Sequence, residues 1–492
     1  MNNKIRIVAG LGLAVLAYTV SSSANDAFLQ WQQQQFNGVQ AQKDEFQDYK
    51  DKRDKEFTSF LREQWKAVDL LKGNVRDEAP KPDVMPVAPP DSTEIKAPVS
   101  KPVARVVKPI IDTPVDRLEP ELKPVTATGD KVVSVDFYGK RISFNYDGEL
   151  KQRLSRRIDK VVISDYWSTL SRTEYEGLLQ QLDAQKTHLQ LNDWAYASLI
   201  NKVALKLNVG RPDETVLFSW FLLAKSGYKA RVAYDDLSIY LLVPSQHEMF
   251  EVSYFKFGEE RYYAVAFEGG RHSLGRVYTY DGEYPDATKE FNMHVTSTVV
   301  SGNQSERRQL SFNFEGQQYD IEVVYDQGRI DFFRTYPQLA LNLYFDSGVD
   351  KITATPLEKQ LAEHISDMSE ERAVNFLLRF VQTSLTYATD EQQFGEENYL
   401  FPEETLFYPY SDCEDRAVLF SWLAKRLLKL EVIGLDYPGH VATAVHFNGS
   451  VKGDSVTYEG KRFVVADPTY INAKAGMSMP KFKQFKAKVI AY

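Results

Sequence analysis

One cysteine stands out as a residue able to do chemistry. Cys413 lies in Ser411-Asp412-Cys413-Glu414-Asp415, directly before an apolar run that is typical of a helix. Ser411 and Glu414 have the spacing of a capping box, so we expect Ser411 to be the N-cap and Cys413 to lie in the first helical turn. The helix dipole favours a thiolate there, and the thiolate is the nucleophilic form. The acidic neighbours oppose it and require compensation from an imidazolium or from Arg416.

Two polar residues follow in the order that a cysteine nucleophile needs. His440 comes after a Pro-Gly turn, at the start of a short strand over 441–447, and Asp467 ends a later, buried-looking strand. If these strands pair antiparallel, the Asp467 carboxylate meets His440 and can orient it as a general base. His446, at the far end of the first strand, lies roughly 20 Å from His440 by strand rise and cannot serve the same cysteine.

Other chemistry is not indicated. The sequence has no phosphate-binding, dinucleotide-binding or H-E-x-x-H motif. Its seven histidines and one cysteine are too scattered to predict a zinc site, so no metal and no cofactor is expected. Two of the candidate residues have a structural alternative. Cys413 is then a small buried thiol, and Asp467-Pro468 is an ordinary turn. The charged neighbours of Cys413 argue against the first of these.

The motifs resemble a known family. The segment 411–417 (SDCEDRA), Gly439-His440, and Asp467-Pro468-Thr469-Tyr470 are similar to the transglutaminase-like superfamily of papain-like cysteine enzymes, over about residues 350–480. The resemblance implies a cysteine that opens a helix, with the histidine and the aspartate on adjacent antiparallel strands, and a catalytic triad of Cys413, His440 and Asp467. That superfamily includes peptidases, transamidating cross-linkers, peptide N-glycanases and inactive members, so the resemblance names no substrate.

The sequence also contains an internal duplication. The pentapeptide VLFSW occurs at 216–220 and again at 418–422, each time after a hairpin-like signal that contains a glycine, at 137–139 and at 314–316. The common order of signals predicts two related α+β domains, 126–300 and 301–492. The first copy has no cysteine, histidine or aspartate in the corresponding places, so we expect a degenerate copy that contributes substrate or partner binding.

Three segments precede these domains. Residues 1–24 have the charged, apolar and small-residue regions of a signal peptide. Residues 25–76 show apolar spacing near 3.5 and predict an amphipathic, coiled-coil-like helix, which either packs back on the body or binds a protein partner. Residues 77–125 hold eleven of the 21 prolines and no glycine, and predict an extended linker. An insertion over 386–410 either lines the substrate cleft or is a surface loop.

Charge and cysteine usage limit the setting. A net charge of −9 and a pI of about 5.5 argue against a nucleic-acid partner. The signal peptide predicts an exported protein, periplasmic or secreted, with no integral membrane span once the signal is removed; an uncleaved N-terminal tether is the alternative. One cysteine allows no intramolecular disulfide.

Together these observations predict two tandem transglutaminase-like (papain-like) domains of the α+β class, preceded by a long helix and a proline-rich linker. The expected activity is that of a cysteine peptidase or amidase acting on a protein or peptide substrate. Two alternatives remain open: a protein cross-linking transamidase, and a non-enzymatic scaffold or envelope assembly factor that keeps the fold.

Overall fold

The computed structural model describes residues 33, 37, 45, 47–69, 71–74, 85–88, 129–155, 157–267, 275–295 and 305–492. The chain divides into two compact units, Met1–Glu56 and Phe57–Tyr492. In the first unit, all the described residues are helical. The predicted signal peptide, the predicted boundary at 300 and most of the predicted linker lie outside the described residues.

The described part of the chain is a mixture of helices and antiparallel strands, which agrees with the predicted α+β class. The strands are β1 (Trp65–Asp69), β2 (Lys131–Phe137), β3 (Lys140–Tyr146), β4 (Arg231–Tyr234), β5 (Ile239–Pro244), β6 (Tyr254–Phe257), β7 (Glu260–Val265), β8 (Arg276–Tyr280), β9 (Ser305–Phe314), β10 (Gln317–Asp326), β11 (Thr386–Tyr387), β12 (Tyr410–Ser411), β13 (Glu431–Tyr437), β14 (His440–His446), β15 (Ser455–Tyr458), β16 (Lys461–Ala466) and β17 (Lys488–Ile490). The helices are α1 (47–63), α2 (Lys160–Leu170), α3 (Glu176–His188), α4 (Asp193–Leu207), α5 (Pro212–Lys225), α6 (Gln327–Phe333), α7 (Leu341–Phe345), α8 (Lys351–Ile365), α9 (Glu370–Ser384), α10 (Asp390–Gln393), α11 (Pro402–Phe407) and α12 (Cys413–Leu423).

The two halves of the larger unit repeat one strand order. The first sheet runs β8-β4-β5-β7-β6, with β1 added outside β8, and the second runs β17-β13-β14-β16-β15. Each half begins with a separate hairpin, β2–β3 or β9–β10, that packs on helices. Each half also packs a buried helix against the two strands that follow it in the chain: α5 against β4 and β5, and α12 against β13 and β14. The topology therefore repeats in the order that the VLFSW duplication indicated.

The end of the N-terminal helix differs from the prediction. The sequence predicted one helix across 25–76, but α1 ends at residue 63 and Trp65–Asp69 is strand β1, paired antiparallel with β8. The apolar spacing continues into β1, yet the free edge of β8 offers backbone hydrogen bonds that a longer helix could not make. Phe57 and Leu61, near the end of the helix, are buried within the larger unit. This part of α1 packs back on the body.

Part of the predicted linker also belongs to the fold. Residues 85–88 are extended, and Val87 forms a parallel bridge with Ile471. The Ala88 N–H donates to the Ile471 carbonyl at 2.8 Å, and the Ile471 N–H donates to the Pro86 carbonyl at 3.0 Å. Ala88 is 1 % exposed. This short piece of the proline-rich segment is therefore bound to the body through one bridge and is not free linker.

Among the residues that the structure describes, none of the helices combines the length and the apolar character needed to cross a membrane.

Replacement of Phe57 by alanine is expected to lower the free energy of unfolding by about 3–5 kcal/mol. The side chain is 4 % exposed, and its ring lies 4.7 Å from that of Trp167 and 5.5 Å from that of Tyr284 between centroids. Chemical denaturation measures the loss. Tyr49→Ala in the same helix is the matched control: it removes a ring that is 53 % exposed and should cost less than about 1 kcal/mol. Equal losses in the two variants would contradict the burial of Phe57.

Candidate active site

Cys413 is the first residue of α12 and is fully buried. Its thiol donates to Glu414 Oε2 at 3.0 Å, and the Val441 N–H approaches its Sγ at 3.5 Å. The sulfur therefore lies against the backbone of β14, one residue beyond His440. Its place at a helix N-terminus favours negative charge on the sulfur.

The cap of this helix lies one residue later than the sequence predicted. Asp412, in extended conformation, is the N-cap, and its N–H donates to Asp415 Oδ2 at 3.2 Å. Ser411 instead accepts a hydrogen bond from Arg416 Nε at 3.1 Å. Asp412 and Asp415 have the same three-residue spacing as Ser411 and Glu414, so the local sequence offers two possible caps. The expectation that Cys413 lies in the first helical turn holds.

His440 begins β14, as the Pro-Gly turn indicated, and is 2 % exposed. Its ring stacks on Phe482 with 5.0 Å between centroids and 7° between planes. Its Nε2 lies 2.9 Å from Asp467 Oδ2. An ionised carboxylate only accepts, so Nε2 carries the proton and Nδ1 is the basic nitrogen. Within the described part of the chain, His440 Nδ1 is buried and has no hydrogen-bond partner.

Asp467 follows directly after β16, which pairs antiparallel with β14 in the register Thr443↔Ala466. Its Oδ1 accepts the N–H groups of Thr469 at 2.9 Å and Tyr470 at 3.2 Å. Its carbonyl accepts from Gln382 Nε2 at 3.0 Å. The two N–H groups thus fix Oδ1 of the carboxylate with Oδ2 turned to the histidine, and Gln382 fixes the backbone of Asp467. The predicted pairing of the two strands is confirmed.

His446, the rejected alternative base, lies at the other end of β14. Its Nδ1 is 2.9 Å from the carbonyl of Arg462 on the neighbouring strand β16.

The first half of the larger unit has no counterpart of these three side chains. Helix α5 begins with Pro212, strand β5 with Ile239, and β7 ends at Val265 before Ala266. The common topology puts these residues where α12, β14 and β16 carry Cys413, His440 and Asp467.

The first turn of α12 concentrates buried charge. Asp412, Glu414, Asp415 and Arg416 are all at most 1 % exposed. Burial, together with the negative charges of Asp412 and Glu414, raises the pKa of Asp415 well above its usual range. Burial lowers the pKa of Arg416 to about 10, so it remains a cation at neutral pH. Its Nη2 donates to the Leu385 carbonyl at 2.8 Å. Arg416 thus supplies the positive charge that the sequence required beside the cysteine.

Three carboxylates in this region could hold a cation. Oxygens of Asp390, Asp412 and Glu414 lie within 4.8 Å of one another, and all three residues are buried. Three oxygens are fewer than the six to eight ligands that calcium takes in proteins.

A cavity of about 1180 Å³ adjoins Cys413 and His440. Glu248 and Phe250 of the first half form part of its wall. Tyr399 of the 386–410 insertion forms another part. The insertion therefore lines the space beside the cysteine, one of the two readings that the sequence left open.

Several residues of the site were missed by sequence reasoning. Gln382, which binds the Asp467 carbonyl, carries a recognisable signal: a polar residue on the buried face of α9. Met85 lies beside Arg416, with 3.1 Å between Sδ and Nη1, and belongs to a segment that reads as linker. Phe482 has no local pattern that marks it.

No protein-family model, no curated protein and no solved structure matches this chain.

Stability is expected to depend on pH through Glu404, a buried residue of α11. Burial raises its pKa from 4.5 to about 8, so the folded chain holds this proton more tightly than the unfolded chain. Stability is then complete below pH 4.5 and falls as pH rises to about 8. Glu404→Gln should remove the contribution of this residue and raise the free energy of unfolding at pH 8 by about 4 kcal/mol.

Denaturant unfolding at pH 5 and pH 8 measures the effect. Glu431→Gln is the control, because the Glu431 side chain is 55 % exposed and its change should be small at both pH values. Other buried carboxyl groups such as Asp415 contribute a slope of the same sign, so a slope in Glu404→Gln as steep as that of the wild type is the outcome that would contradict the assignment.

Proposed function

We propose that the C-terminal half is a transglutaminase-like cysteine enzyme that cleaves amide bonds of a protein or peptide, with Cys413, His440 and Asp467 as its triad. The observation that carries the proposal is His440, whose Nε2 is held by Asp467 while its buried Nδ1 has no partner among the described residues. This base lies one residue before Val441, whose N–H approaches the Cys413 Sγ at 3.5 Å, and Nδ1 and Sγ form no hydrogen bond in the structure. Activation of the cysteine therefore requires the two atoms to come closer when substrate binds, as catalytic hydrogen bonds often do.

In the proposed reaction each of the three side chains has one role. His440 Nδ1 takes the thiol proton, and Cys413 Sγ forms a bond to the amide carbonyl carbon. The tetrahedral oxyanion collapses, the C–N bond breaks, and the amine leaves with the proton from the imidazolium. Water then gives a proton to His440 and attacks the thioester carbon. The C–S bond breaks, the acid leaves, and the thiol regains its proton. An amine in place of water would give transamidation.

Asp467 has two tasks in this scheme. It keeps the imidazole in the tautomer with a basic Nδ1, and it stabilises the imidazolium that forms. The bonds from the Thr469 and Tyr470 N–H groups hold the carboxylate in place and share its charge. Phe482 fixes the plane of the ring.

One observation favours the non-enzymatic alternative. The thiol is fully buried and donates to Glu414, as a structural cysteine could. In that case the protein would be a binding or assembly protein that keeps the fold. Export to the periplasm or to the exterior, argued from residues 1–24, is part of the proposal under either activity.

The pH dependence of Cys413 alkylation by iodoacetamide separates the two functions. A thiolate–imidazolium pair keeps the thiol reactive below its usual pKa, so we expect labelling of the native protein below pH 7. His440→Ala should slow that labelling by about tenfold or more, because the imidazolium is lost. Mass spectrometry of the labelled peptide measures the rate at each pH.

His446→Ala is the matched control, since it removes the other histidine of the same strand and should leave the profile unchanged. Labelling that occurs only after denaturation would identify a structural thiol and overturn the enzyme. Native labelling with the same pH profile in His440→Ala would overturn the role of His440.

A further inference from the structure

A second cavity lies beside the one that contains Cys413. Its volume is about 580 Å³, within the range of about 300–1,000 Å³ that is typical of ligand pockets. Both halves of the larger unit build it: Trp194 and Ala266 belong to the first, and Phe333 and Tyr408 to the second.

The two cavities share part of their walls. Phe250, from the first half, and Tyr399, from the insertion, line both of them. One residue holds the backbone at both positions: the Gln338 carbonyl accepts the Phe250 N–H at 2.8 Å, and Gln338 Oε1 accepts the Tyr399 N–H at 2.9 Å. The two cavities are therefore adjacent, with Phe250 and Tyr399 in their common wall.

The wall of the second cavity is largely aromatic and already packed. Phe401 stacks on Phe333 at 4.6 Å and on Tyr344 at 4.4 Å between ring centroids. Tyr336 meets Trp194 edge to face at 6.0 Å. These rings are already covered by one another, so the half-buried rings of Phe250, Phe394 and Tyr399 are the ones that can offer a face or an edge to another ring.

The charges in the cavity select against an ionic ligand. Arg334 in the wall already pairs with Asp331, at 3.0 Å between Nη1 and Oδ1, so its charge is compensated within the protein. Glu404 is in the wall as well, and burial raises its pKa to about 8, so at neutral pH it is largely uncharged. The chemistry that remains is an uncharged ring.

We propose that this aromatic cavity is the subsite that takes an uncharged aromatic side chain of the peptide whose amide bond reaches Cys413. The proposal rests on the proposed function and adds a substrate class to it: peptides with phenylalanine, tyrosine or tryptophan near the cleaved bond. It also gives the first half a task, because Trp194 and Phe250 come from the half without a thiol.

Two peptidyl acyloxymethyl ketones test the subsite. They are identical except that one carries phenylalanine and the other alanine at the position next to the ketone. Each is attacked by a cysteine thiolate and loses its carboxylate, so the second-order rate of Cys413 labelling reports both binding and reactivity. The phenylalanine probe should react about tenfold faster or more in the wild-type protein, as burial of a large apolar group in a pocket predicts.

Ala266→Phe should abolish the preference by filling the cavity, while the rate with iodoacetamide, which has no side chain, stays the same. Ala67→Phe, on the edge strand β1, is the matched control and should keep the preference. If Ala266→Phe does not fold, Phe394→Ala, which removes a half-buried ring from the wall, should lower the preference several-fold.

The outcomes separate the two proposals. Normal iodoacetamide labelling with equal rates for the two probes overturns the subsite and leaves the enzyme intact. A preference that survives in both Ala266→Phe and Phe394→Ala overturns this location for the subsite. Native protein that reacts with neither probe nor iodoacetamide overturns the enzyme, and the subsite with it.

Discussion

Helix α12 is enclosed on every side, and each of its residues from Cys413 to Leu423 is buried. It contacts β13 and β14 of its own sheet, and Cys413 and Val418 also join the core of the first half. A helix in this position cannot carry uncompensated charge at its first turn, since a buried unpaired charge costs several kcal/mol. The turn nevertheless holds Glu414, Asp415 and Arg416. Much of the surrounding chain is placed by the need to satisfy these groups.

The hydrogen bonds that satisfy these charges connect distant segments of the chain to the helix. Asp415 accepts the N–H groups of Asp412 and Leu400, which fastens the insertion to the cap. Arg416 donates to carbonyls at the end of α9 and just after it, and its Nη1 meets Met85 of the segment 85–88. The same helix end that favours a thiolate at Cys413 therefore also determines where the walls of the neighbouring cavity stand. Stability and the candidate chemistry depend on the same few bonds.

The sequence predicted those parts of the structure that local patterns encode. Cys413 in a first helical turn, His440 at the start of a strand, and Asp467 after an antiparallel partner all follow from turn residues and strand length. The residues that it missed are set by tertiary contacts. Trp65–Asp69 continues the apolar spacing of α1, but the edge of β8 draws it into a sheet. Residues 85–88 read as linker because nothing local reveals that Ile471 offers them a partner.

The duplication explains why the candidate site lies between two similar halves. Each half has a buried helix against the first strands of its sheet, but only α12 begins with a thiol; α5 begins with Pro212. The first half has no thiol at that position, yet it keeps its sheet and core and contributes Phe250 and Trp194 to the walls of the cavities that adjoin the second half. A peptide extended from Cys413 would then meet chemistry from one copy and much of its side-chain recognition from the other. Gln338 of the second half bonds the backbone N–H groups of Phe250 and Tyr399, so the common wall of the two cavities is tied to one residue at the contact between the halves.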